Sequence, residues 1–97
     1  MDSFTKQSSE QFTITIDFSN RLGTGETISS YTLGAVNNST SEDVESTIIN
    51  SDTKDTTKVY INVKDGTNGT TYKLTILVTT SASNKYEKDL LMKIVDI

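Results

Sequence analysis

The sequence predicts an all-β sandwich of about seven short antiparallel strands. Three observations predict it. Apolar residues recur at every second position in several stretches, the period of a strand with one buried face. Turn residues separate those stretches at roughly 8–12-residue spacing. The chain is only 33% hydrophobic but rich in Thr and Ser, and Thr suits the wet face of a strand. Low hydrophobicity alone would also fit disorder, but the apolar residues are periodic and the net charge is only −4.

The first strand is expected over residues 11–18, where Phe12, Ile14, Ile16 and Phe18 alternate with Thr13, Thr15 and Asp17. Residues 1–10 are polar and add at most a loose N-terminal edge strand. Residues 19–26 form a turn, with Gly23 and Gly25 free to take positive φ. Extended structure resumes over 28–36, with Tyr31, Leu33 and Ala35 on one face. A long polar loop over 37–45 carries Glu42, Asp43 and Glu45. Ile48 and Ile49 mark a short strand over 46–50, and 51–57 is polar again. Residues 58–64 alternate Val59, Ile61 and Val63 against Tyr60 and Asn62. The strongest strand is 71–80, with Tyr72, Leu74, Ile76 and Val78 on one face. A small-residue loop leads to the last strand, 86–95, with Leu90, Met92 and Ile94 inward. Leu77, Leu91 and Val95 fall on faces otherwise expected to be wet, and a contiguous patch there would mark a contact surface.

One local feature narrows the fold. Tyr72 opens the strongest strand two residues before Leu74, a core position. In immunoglobulin-like sandwiches a Tyr at this place bonds back to the backbone of the preceding connection. The expectation is therefore one immunoglobulin-like domain over residues 1–97.

The residue types exclude most catalysis. There is no Cys and no His, so no thiolate or imidazole ligand, no disulfide and no imidazole general base. Asp65 and Asn68 around Gly66 are a fragment of a calcium loop without its distal Glu, and read as a turn. The run Glu42, Asp43, Glu45 reads as a solvated loop. The expectation is no catalytic residue, no cofactor site and no metal site. Nine basic residues, only one of them Arg, stand against thirteen acidic ones, which argues against a nucleic-acid partner. No apolar run is long enough to span a bilayer, and Met1-Asp2-Ser3-Phe4-Thr5-Lys6 lacks the order of a signal peptide. Tyr31, Tyr60 and Tyr86 are the candidates for a sugar-stacking platform, the basis of a rival reading as a carbohydrate- or cell-surface-binding module.

The stretch Gln11-Phe12-Thr13-Ile14-Thr15-Ile16-Asp17-Phe18-Ser19, then Leu22, then Gly25-Glu26-Thr27-Ile28-Ser29-Ser30, resembles a family of small immunoglobulin-like proteins of phage and prophage structural gene clusters. The Gly69-Thr70-Thr71-Tyr72 approach to a Thr-rich strand fits the same pattern. Phe18 and Leu33 stand where that family usually has Trp, and no Pro lies near Ser8. The resemblance implies a non-enzymatic virion-associated structural or decoration module, made in the bacterial cytoplasm without a signal peptide. Its partners would be other phage structural proteins or the host surface, and its oligomeric state stays open.

Overall fold

The computed structural model describes residues 2–97. Seven strands and one helical turn follow in order: β1 (Asp2–Lys6), β2 (Phe12–Asp17), β3 (Ile28–Asn37), α1 (Glu45–Ile48), β4 (Ile49–Lys54), β5 (Lys58–Val63), β6 (Thr71–Thr80) and β7 (Lys85–Ile94). They form a four-stranded sheet, β1-β7-β6-β3, and a three-stranded sheet, β2-β5-β4. The expected all-β sandwich is what forms. Every strand pairing is antiparallel except β1, which runs parallel to β7 from Asp2↔Leu90 to Lys6↔Ile94.

The core is built from the alternation already visible in the sequence. Val59, Ile61 and Val63 of β5 face Tyr72, Leu74, Ile76 and Val78 of β6 and Leu90, Met92 and Ile94 of β7, all buried. Each β-branched or long apolar side chain removed from water here contributes about 1.5–3 kcal/mol. Their polar neighbours in sequence point to the two outer faces.

Three sequence expectations change. Residues 46–50 are not a strand: Glu45–Ile48 make one helical turn and β4 starts at Ile49. A strand would aim Ile48 and Ile49 at opposite faces. The turn, held by Thr47 and Ile48 N–H groups on the Val44 carbonyl, buries Ile48 completely and still packs Ile49 against the same core. Residues 51–54, expected to be loop, belong to β4, an edge strand too wet to show alternation. Of the two glycines expected at positive φ after β2, only Gly25 takes it, at 76°.

Leu77, Leu91 and Val95 do not make a contiguous outer patch. Register places Leu77 between Thr32 and Glu87, and Leu91 between Ser3 and Lys73. The Thr75/Asp89 pair separates them. Val95 lies beyond the end of β7.

Polar side chains close both ends. Lys6 is 1% exposed, yet its ammonium donates to the carbonyls of Gln7 (2.9 Å), Ser8 (3.4 Å) and Asp65 (2.5 Å). Burial lowers its pKa, and the three acceptors offset the cost of desolvating it. Tyr72 O–H accepts the Thr67 N–H at 3.0 Å, the bond its position predicted. Gly66 sits under this Tyr at φ 105°, where a Cβ would come within 2.8 Å of the Ile94 side chain, so only Gly fits. At the opposite end Glu26 takes the Gly23 N–H (2.8 Å), the Thr80 hydroxyl and the Asn84 amide (3.0 Å). These donors, Gly23 first, hold its carboxyl below the usual value.

Candidate functional site: an open edge of the sandwich

A sandwich has two lateral edges where its sheets meet. One is formed by β3 and β4, the other by β2 facing β1 and β7. The second opens into a groove of about 550 Å³. Its walls are Ile14, Ile16 and Phe18 on the small sheet and Phe4 and Leu90 on the large one. Asp2, Asp17, Arg21, Glu87 and Lys88 line its rim.

The groove follows from two strands that stop short. β1 covers the edge of β7 only over residues 90–94, so residues 85–89 of β7 have no partner on that side. β2 pairs with β5 over its whole length and with nothing else among the described residues. At the bottom Phe4 and Phe12 meet edge to face across the sheets, with ring centres 6.2 Å apart, and close the gap. At the top the Arg21 guanidinium lies 4.8 Å over the Tyr86 ring. Between these two contacts the sheets stay apart.

The rim charges are unequally committed. Lys88 donates to Asp2 at 2.5 Å, and this bond draws the Asp2 carboxyl below its usual value. Asp17 accepts the Ser19 N–H at 2.8 Å, which lowers its pKa as well, but it has no ion-pair partner among the described residues. Glu87 has none either. The groove therefore offers an apolar floor and two carboxylates without ion-pair partners among the described residues.

Other residues singled out in the sequence take structural places. The Asp65 carbonyl accepts Lys6, and Asn68 accepts the Asp96 N–H at 3.0 Å. Asp43 bridges to Val36 and accepts the Glu45 N–H at 3.1 Å at the start of α1. Among the described residues no group of three or more carboxylates is placed to hold a metal ion. The three tyrosines are not brought together. Tyr31 bonds Asp52 at the β3/β4 edge, Tyr60 bonds Asp55 on the outer face of the small sheet, and Tyr86 lies under Arg21 at the opposite edge.

Ile16, Phe18 and Leu90 are buried core, as their alternation predicts, and Ile14 packs half-buried against them; nothing in the sequence singles out Arg21, Glu87 and Lys88 as rim residues. A signal was present in β2. Phe12-Thr13-Ile14-Thr15-Ile16-Asp17 contains no Lys, Pro or Gly, the residues that usually guard an edge. It becomes readable only once β2 is known to be an edge.

No curated protein matches this chain. The profile of one family, described as podophage GP4 fiber-tail adaptor protein gp77, matches residues 6–93, from the last residue of β1 to the penultimate residue of β7. That span holds β2 to β6, all but the last residue of β7, and most of the groove lining. The chain therefore belongs to the podophage GP4 fiber-tail adaptor protein gp77 family, a family of phage structural proteins.

Proposed function

We propose that this chain is a non-enzymatic connector in the tail of a phage particle, joined to neighbouring virion proteins through the open edge between β2 and β7. The observation that carries the reading is the family match across residues 6–93, whose description names a fiber-tail adaptor. The groove supports it, because an apolar floor with a charged rim suits a protein contact. Among the described residues no helix is long and apolar enough to cross a membrane. The immunoglobulin-like reading of the sandwich, as one domain, draws support from the order β2-β5-β4 against β7-β6-β3 and from the Tyr72 corner.

The test is quantitative mass spectrometry of density-purified particles, with copies of this chain counted against the major capsid protein. A connector appears in a few copies per particle. A count approaching that of the capsid protein would replace the connector with a decoration or tube component. Absence from particles, with the chain abundant in the lysate, would overturn the structural role on the virion.

A further inference from the structure

We infer that the open edge of β2 is a strand-docking site. It takes an extended segment of a neighbouring virion protein, whose backbone pairs with β2 and whose alternate apolar side chains enter the groove over Ile14, Ile16 and Leu90. The inference rests on the connector reading above and names the kind of partner that reading needs.

The first support is unused backbone. Phe18 N–H bonds the Thr57 carbonyl at 2.9 Å, and the β2–β5 register runs unbroken from Asp17↔Lys58 to Phe12↔Val63. Backbone groups in an antiparallel ladder face alternate sides. Those of Phe12, Ile14 and Ile16 therefore face β5, and those of Thr13, Thr15 and Asp17 face the open edge. Three successive N–H and C=O pairs at the spacing of a strand suit an extended backbone, and a helix or a small molecule would satisfy few of them. β2 has six residues, about 20 Å at ~3.3 Å per residue, so the docked segment is about five or six residues long.

The second support is that β2 lacks the protection seen at the other edges, where the bare stretch of β7 carries Lys85, Glu87, Lys88 and Asp89. β1 has five residues and ends in the buried Lys6. β3 carries a register shift between Ile28 and Ser30, and its far end is bridged by Asp43. β4 carries a shift between Ile49 and Ser51 and places Asp52 and Lys54 opposite the inward-facing Ile61 and Val59. Shifts, short strands and inward-pointing charges are the usual means of stopping an edge from pairing. β2 has none of them.

The third support is charge. Lys88 is spent on Asp2, and Arg21 lies on the Tyr86 ring. Asp17 and Glu87, on opposite rims, remain without ion-pair partners among the described residues. The complementary segment is alternately apolar and carries Lys or Arg beside its apolar positions.

The test uses particles grown with the gene deleted and the chain supplied in trans. Thr15→Pro removes one outward N–H and leaves the β2–β5 ladder intact, because Thr15 N–H does not face β5. Thr15→Val keeps the N–H and serves as control. Copies per particle are expected to fall about tenfold or more for Thr15→Pro, a loss of ~1.4 kcal/mol of docking, and to stay within about twofold of wild type for Thr15→Val. Thermal melts of the purified chains report whether each variant folds. If Thr15→Pro does not fold, Glu87→Lys takes its place as a surface change, with a several-fold loss expected. Undiminished copies of the folded Thr15→Pro chain, or of Glu87→Lys where that variant is used, would overturn strand docking while leaving the connector reading in place. A free chain that is dimeric in solution and made monomeric by Thr15→Pro would assign the edge to a second copy and overturn the proposed partner. Wild-type chain missing from particles would overturn both readings together.

Discussion

The two lateral edges of this sandwich are built on opposite plans. At the β3/β4 edge the sheets are tied by polar groups that satisfy one another. Tyr31 on β3 donates to Asp52 on β4 at 2.5 Å, and the Lys54 ammonium reaches the Ile28 carbonyl at 3.1 Å. α1 fills the space beside them with Ile48, and the Lys64 N–H donates to the Ile48 carbonyl at 2.8 Å. At the β2/β7 edge the facing side chains are apolar and nothing spans the gap between the Phe4–Phe12 pair and Arg21. The difference teaches that a thin sandwich need not be closed all round. One edge is tied by polar contacts, and the other keeps a groove beside the half-buried Phe4 and Ile14.

The sharpest way to break this comparison is to truncate one side chain at each edge. Ile48→Ala empties a fully buried site at the sealed edge and is expected to cost about 2–5 kcal/mol. Ile14→Ala trims a half-buried side chain that already borders open space, and should cost about 1 kcal/mol. Urea midpoints at constant slope measure both. Equal losses would mean that the two edges are sealed alike.

A smaller effect is expected from the clasp itself. Tyr31→Phe removes the bond to Asp52 and should lower stability by ~1 kcal/mol in the same experiment. Burial, and then the Asp52 carboxylate, push the Tyr31 phenol up to about 12. A folded-state value raised above the ordinary 10.0 gives stability that is complete below that pH and lost as pH rises toward about 12. An alkaline absorbance titration should therefore show one late-ionising tyrosine, which moves earlier in Asp52→Asn. A late transition unchanged in that variant would leave the carboxylate without a part in the clasp.

The smallest effect lies in the turn that joins the sealed edge to β5. Asp55 accepts the Tyr60 hydroxyl at 2.7 Å and the Thr57 and Lys58 N–H groups at 2.9 and 2.8 Å. These bonds, the Tyr60 hydroxyl first, hold its carboxyl down to about 2. A depressed value gives stability that is present above the ordinary 3.8 and lost as pH falls through about 2. Asp55→Asn should flatten the fall in melting temperature between those two pH values. An unchanged acid limb would place that loss elsewhere, with Glu26 at the far end of the sandwich as the next candidate.

Much of the fold was legible because alternation is a local signal. Phe12 to Phe18, Val59 to Val63, Tyr72 to Val78 and Leu90 to Ile94 each declare a buried face by period alone. Tyr72 declared its corner through its distance from Leu74. β4 was not legible, because Asn50, Ser51, Asp52 and Thr53 are exposed and a strand wet on both faces has no period to show. α1 was hidden by the Ile48-Ile49 pair, which fits a strand or a helical turn until the core it must reach is known. Whether Leu77 and Leu91 join into a patch was decided by register: both lie on the outer face of one sheet, four rungs apart.

The sequence by itself determined that this chain is a β-sandwich, which side chains fill its core, and that catalytic residue types are scarce. Those properties depend on composition and on neighbours two residues apart. Only the tertiary structure decided that β2 stands at an edge, that β1 stops at Leu90 and leaves half of β7 bare, and that Asp17 and Glu87 come to the rim of one groove. Those facts depend on which strands, far apart in the chain, come to lie side by side. Alternation fixes the face a side chain points to, and it carries no information about which neighbour lies next to its strand.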